Sequence, residues 1–83
     1  MNTSGEVEFT GRIQAITLPA VNAHPTFKVQ VEDHDDMVEL IFVGHRDLPG
    51  FRVGRSMTAR GKMLTTPRRM MYNPIYWLKA DST

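Results

Sequence analysis

The sequence contains no cysteine, which excludes disulfides, thiolate metal ligands and a cysteine nucleophile. It also lacks an excess of charge of either sign. Ten Lys and Arg stand against nine Asp and Glu, a formal net charge of +1, so the chain makes no strong global field. No apolar run approaches the roughly 18 residues that a membrane-crossing helix needs. The start, Met1-Asn2-Thr3-Ser4-Gly5-Glu6, is polar and acidic, without the basic flank and apolar stretch of a secretory signal. The expectation is a soluble, cytoplasmic protein with no membrane partner. At 83 residues there is room for one small domain, with a core over about 7–79 and tails at 1–6 and 80–83. Hydrophobic residues at 41% and charged residues at 23% fit a folded chain rather than a disordered one.

The near-neutral total hides an asymmetry. Residues 1–43 carry two basic side chains against seven acidic ones, a balance of −5. Residues 44–83 carry eight basic against two acidic, a balance of +6. Either the halves pair across the fold and cancel, or the second half makes a locally basic face.

The dominant period is two. Val7, Phe9, Gly11, Ile13 and Ala15 alternate with Glu8, Thr10, Arg12 and Gln14, a strand with one buried face. Ile16 and Leu18 then carry the apolar phase at even positions, and such a flip predicts a bulge or sharp coil in a long, bent first strand. Pro19 to Pro25 reads as a loop. Phe27, Val29 and Val31 mark strand two, Asp33-His34-Asp35-Asp36 a polar hairpin turn, and Met37 to Val43 strand three. Strand three is apolar on both faces, with Val38, Leu40 and Phe42 on one and Ile41 and Val43 on the other. Gly44 to Gly54 holds three glycines and Pro49 in eleven residues, leaving space for one short helical turn around His45 to Leu48. Strand four is expected over Ser56 to Leu64, and strand five over Arg69 to Lys79 with an interruption at Asn73-Pro74.

Five strands in a chain this short, with glycines where strands must coil, suit a closed barrel. The expected fold is all-β, a five-stranded Greek-key OB-fold barrel with a short helical turn between strands three and four. A Sm-like or SH3-like barrel is the alternative. Three segments bear on the choice: Glu39-Leu40-Ile41-Phe42-Val43-Gly44; Leu48-Pro49-Gly50-Phe51-Arg52-Val53-Gly54 leading into Thr58-Ala59-Arg60-Gly61-Lys62; and Met71-Tyr72-Asn73-Pro74-Ile75-Tyr76. Together they resemble the OB-fold nucleic-acid-binding domains of bacterial proteins, including the wedge domain of RecG-like helicases and small stand-alone relatives. The resemblance covers about residues 9–79 and implies a non-enzymatic module that binds single-stranded or branched nucleic acid, DNA before RNA. The sequence departs from that pattern in two places. Ile75 and Trp77 flank Tyr76 where the family has polar residues, and Thr65-Thr66-Pro67-Arg68-Arg69 replaces a glycine-rich loop.

Catalytic patterns are scarce. His24, His34 and His45 fall in separate loops, and the acidic turn around His34 lacks the glycine and distal glutamate of a calcium loop. Nothing resembles a nucleophile elbow or a phosphate-cradling glycine loop. No enzyme activity, cofactor or metal is expected. Nucleic acid needs cations for phosphates and ring faces for bases. Arg60 and Lys62 share the outward face of strand four, Arg68 and Arg69 crown the next loop, and Tyr72 and Trp77 follow; Lys28 and Arg12 add charge on earlier strands. These eight residues are the candidate nucleic-acid contacts, expected to line one groove. The alternative for Arg60 and Lys62 is plain solvated exterior. Trp77 is open between base stacking, a contact with a protein partner or second copy, and the core. Glu32 and Glu39 on strands two and three oppose phosphate binding, so affinity should be modest and salt-sensitive. A protein-interaction or oligomerisation module using the Ile75/Trp77 strip is the competing function.

Overall fold

The computed structural model describes residues 6–80. The first alternating stretch forms β1, Glu6–Thr17. Its N-terminal half pairs antiparallel with β4, Ser56–Lys62, and its C-terminal half with β2, Thr26–Asp33. Ile13 opposes Val31 and Ala15 opposes Gln30, so Gln14 is the extra residue of a bulge. That insertion turns both Ile13 and Ile16 inward although they are three positions apart, which is the physical origin of the phase flip. Gly11 lies just before the bulge, where a Cβ would come within 2.6 Å of the Glu32 carbonyl oxygen. Only a residue without a side chain lets β1 approach β2 this closely.

β2 and β3, Asp36–Val43, form a hairpin turning through His34 and Asp35. The Asp33 carboxylate accepts the His34 backbone N–H at 2.8 Å, the local bond that makes Asp a turn former. β5, Met70–Tyr72, runs parallel to β3, and β6, Ile75–Leu78, antiparallel to β4. The result is an all-β, six-stranded sheet in the order β5-β3-β2-β1-β4-β6, with no helix among the described residues. Its two end strands follow each other in the chain, separated only by Asn73 and Pro74. Covalent continuity brings the ends together, while the hydrogen-bond ladder stays open between them.

The expected fifth strand is therefore two. Pro74 has no N–H for a ladder, and Asn73 adopts a left-handed φ of 50°. Asn73 also ends the parallel ladder: its N–H donates to the Ile41 carbonyl at 2.7 Å, and its side-chain oxygen accepts the Val43 N–H at 2.9 Å. The amide side chain thus takes the place of the next residue of β5. β4 stops at Lys62 rather than Leu64, and Leu64 makes an isolated bridge to Met70. The expected helical turn around His45 to Leu48 does not form. Gly44, Gly50 and Gly54 have φ of 92°, 89° and 97°, and Pro49 disfavours helical geometry at Leu48, so the connector is a series of turns. β1 already begins at Glu6, inside the expected tail; residues 1–5 and 81–83 of the two tails lie outside the described residues.

The core gathers Ile13, Val29, Val31, Val38, Leu40, Met57, Ala59 and Met71 with the rings of Phe27 and Phe42. Phe51 from the connector packs edge-on to Phe27, Phe42 and Tyr76, with centroids 4.9–5.7 Å apart. The connector thus contributes to the core through a ring rather than a helix, in the edge-to-face arrangement that aromatic quadrupoles favour.

Candidate functional site

The ladder registers align four residues in one row across the outside of the sheet. Thr17 on β1 opposes Lys28 on β2, Lys28 opposes Ile41 on β3, and Ile41 opposes Tyr72 on β5. At strand spacings of about 4.8 Å the row spans roughly 14 Å. It floors a groove of about 590 Å³. Thr26 and Val43 extend the floor, Leu18, Pro19, Ala23 and His24 make one wall, and Pro67, Arg68 and Met70 the other. Ile41 points outward and is only 5% exposed, so the walls shelter an apolar floor; the Tyr72 ring at its edge is 51% exposed.

Both walls are held from outside the groove. The 18–25 loop makes a turn in which the Ala23 N–H donates to the Ala20 carbonyl at 3.0 Å. Arg46 of the connector then donates to the carbonyls of Ala20 at 3.4 Å and Ala23 at 3.1 Å. The opposite loop is closed by reciprocal 2.9 Å backbone bonds between Leu64 and Met70. It is fastened to β3 by a 3.1 Å bond from the Glu39 N–H to the Arg69 carbonyl. Two ion pairs add to this, Arg68 on Glu39 at 2.9 Å and Arg69 on Asp36 at 2.8 Å.

The groove lining holds Lys28, Arg68 and His24 and no carboxylate. Lys28 has no ion pair among the described residues. A floor that combines apolar Ile41 and Val43 with Lys28 and one exposed ring, with Arg68 on the wall, suits a flat, partly apolar ligand that carries negative charge.

The eight sequence candidates do not share one furrow. Lys28, Arg68 and Tyr72 converge on the groove. Arg69 stands beside it over Asp36, in a smaller depression of about 340 Å³ with Gln30, Met37, Glu39 and Arg68. Arg60 and Lys62 lie at the far end of β1, opposite Glu8 and Glu6. Lys28 faces Thr17, so the two basic groups are separated by roughly 30 Å of strand. Arg60 lies 3.9 Å from Glu6. Arg12 lines a separate depression with Glu32 and Asp33. Trp77 is outside the core: at 48% exposure it joins Ile75, at 58%, on the outward face of β6 opposite Thr58 and Arg60.

Sequence reasoning missed the apolar floor, the His24 wall and the brace from Arg46. The signal for the floor was the outward parity of Ile41 and Val43 on a strand already apolar inside. Compared with protein-family models and with curated proteins, the chain matches none.

Proposed function

We propose that this chain is an OB-fold barrel that binds single-stranded or branched nucleic acid, DNA before RNA, largely without sequence preference. Support for the barrel comes from the strand order, with a long β1 serving both β2 and β4, a parallel β3·β5 pair, and end strands consecutive in the chain. In OB-folds the face of strands two and three and the loops after strands one and four bind oligonucleotides. The observation that carries the functional reading is the groove at that location, lined by two cations, a histidine and an exposed tyrosine, and by no carboxylate. Lys28 and Arg68 neutralise phosphates there, and Tyr72 offers its ring to a base, a contact typically contributing about 1–3 kcal/mol. Arg60 and Lys62 lie too far off, at the other end of β1, to act on the same nucleotides, and Arg12 lines a separate depression.

Anisotropy titration of a short labelled oligothymidine at low salt is the test, with a dissociation constant of about 1–100 µM expected for contacts of this kind. Lys28→Gln should flatten the salt dependence by about 0.7 in log–log slope, the contribution of one phosphate on a single strand. Replacing Arg60 and Lys62 together by Gln should leave that slope unchanged. An absence of binding at high micromolar protein refutes the proposal, and an effect confined to Arg60 and Lys62 moves the site to the other end of β1.

A second reading, a contact with a protein partner or another copy, is favoured by the exposed Ile75 and Trp77 on edge strand β6. Sedimentation separates the two. Self-association that Trp77→Ala abolishes, with oligonucleotide binding intact, assigns the strip to protein; a monomer at every concentration removes self-association from consideration.

A further inference from the structure

We infer that Glu39 sets the affinity of the groove by occupying the phosphate-binding edge of Arg68, so that a nucleic-acid phosphate enters by exchange with a carboxylate. The inference rests on the nucleic-acid reading above and adds the residue that restrains it. Arg68 Nε donates to Glu39 Oε1 at 3.0 Å, and Nη2 lies 2.9 Å from the same oxygen. Nε and Nη2 are the edge with which arginine grips phosphate oxygens, and here both converge on one carboxylate oxygen. Glu39 already engages that edge.

The partners are unequal. The Glu39 side chain is 22% exposed and that of Arg68 62%. Glu39 belongs to a central strand of the sheet, and its N–H bond to the Arg69 carbonyl holds the loop whether or not the side chains pair. Exchange therefore requires only a rotamer change of Arg68, with no backbone movement. An ion pair this exposed contributes little to stability, while a phosphate contact adds counterion release. Position matters as well: Arg68 borders both the 590 Å³ groove and the 340 Å³ depression, and Glu39 lines only the latter. The ion pair thus forms a bar between the Tyr72 end of the face and the Gln30–Met37 end, across the path of a strand running along β3. Arg69 on Asp36 repeats the pairing one residue on, outside the groove.

Glu39→Gln removes the competing charge and keeps the side-chain shape. Binding of the short oligothymidine should tighten about three- to five-fold, the upper range for releasing an exposed ion pair, and the salt slope should steepen by about 0.7. Glu32→Gln is the control. It makes the same change in net charge at a β2 carboxylate that is in no ion pair among the described residues, and it should shift affinity clearly less. Arg68→Ala should cost more affinity in the Glu39→Gln background than in the wild type, where breaking the ion pair offsets part of what the phosphate contact contributes. Equal effects of Glu39→Gln and Glu32→Gln overturn the inference, as does an equal Arg68→Ala loss in both backgrounds. Arg68→Ala alone decides the matter if Glu39→Gln fails to fold: a full 0.7 loss of slope in the wild-type background contradicts exchange. A wild-type chain that binds no oligonucleotide defeats both the functional reading and this inference, whereas a binding wild type with identical Gln variants defeats only the inference.

Discussion

Asn73 joins the two end strands, and replacing it measures how the sheet ends are held beside the groove. Two separable losses are expected in Asn73→Ala. The side-chain oxygen that accepts the Val43 N–H at 2.9 Å disappears, a loss of about 0.5–1.5 kcal/mol. Alanine must also adopt the left-handed φ of 50°, at about 1–2 kcal/mol. The sum centres near 2.5 kcal/mol, which for a domain of this size lowers the melting temperature by about 10–20 °C. Asn73→Gly loses the same hydrogen bond and no strain, but adds roughly 0.5–1 kcal/mol of unfolded-chain entropy relative to alanine. It should therefore lie about 0.5–1 kcal/mol above Asn73→Ala. Asn73→Asp keeps both the acceptor and the tolerance of left-handed geometry and should stay within about 0.5 kcal/mol of wild type. Thermal melts followed by circular dichroism give the order. Aspartate as damaging as alanine would remove the cap from the explanation, and alanine melting above glycine would remove the strain.

Two further outcomes bear on the site and its scaffold. Tyr72→Ala should weaken oligothymidine binding by about 5- to 150-fold, the loss of one stacked base, while Tyr72→Phe should bind like wild type; a Phe variant as weak as Ala would mean that the hydroxyl, not the ring face, makes the contact. Gly11→Ala should destabilise by about 1–3 kcal/mol, because the new methyl meets the Glu32 backbone and Val31 and this outweighs the usual alanine gain of about 0.4–1 kcal/mol. A melting temperature that holds or rises in Gly11→Ala would show that β1 and β2 part without cost.

Much of the strand pattern was legible because side-chain alternation is local. The buried Phe27, Val29 and Val31 of β2 and the buried Val38, Leu40 and Phe42 of β3 match the alternation read from the chain. The phase flip after Gln14 marked a bulge, since one inserted residue reverses every later side chain. Pro74 announced a break in the last strand, though not that its two halves would pair with different neighbours. The connector was misread toward a helical turn because short polar stretches satisfy that pattern weakly, whereas three left-handed glycines impose turns.

The site was harder. Lys28 is far in the chain from Arg68 and Tyr72, and they meet because β3 lies between β2 and β5. The composition supplied cations and rings and could not sort them. Arg60 and Arg68, eight residues apart, end at different ends of the sheet, while Arg68 finds its carboxylate on Glu39 in the acidic half of the chain. The opposed charges of the two halves are thus partly cancelled by contact, at Arg68 and Arg69 above all.

By itself, then, the chain determined the buried alternation of β2 and β3, the bulge in β1, and that Trp77 opposes Tyr76 and Leu78 in parity. Only the tertiary structure decided that Ile41 is a sheltered floor, that Trp77 faces solvent on an edge, and which cations remain open to a ligand. The reason is range. Alternation and turn chemistry act over a few residues, whereas shelter and charge pairing depend on which strands become neighbours and in what register, set by the packing of the whole sheet.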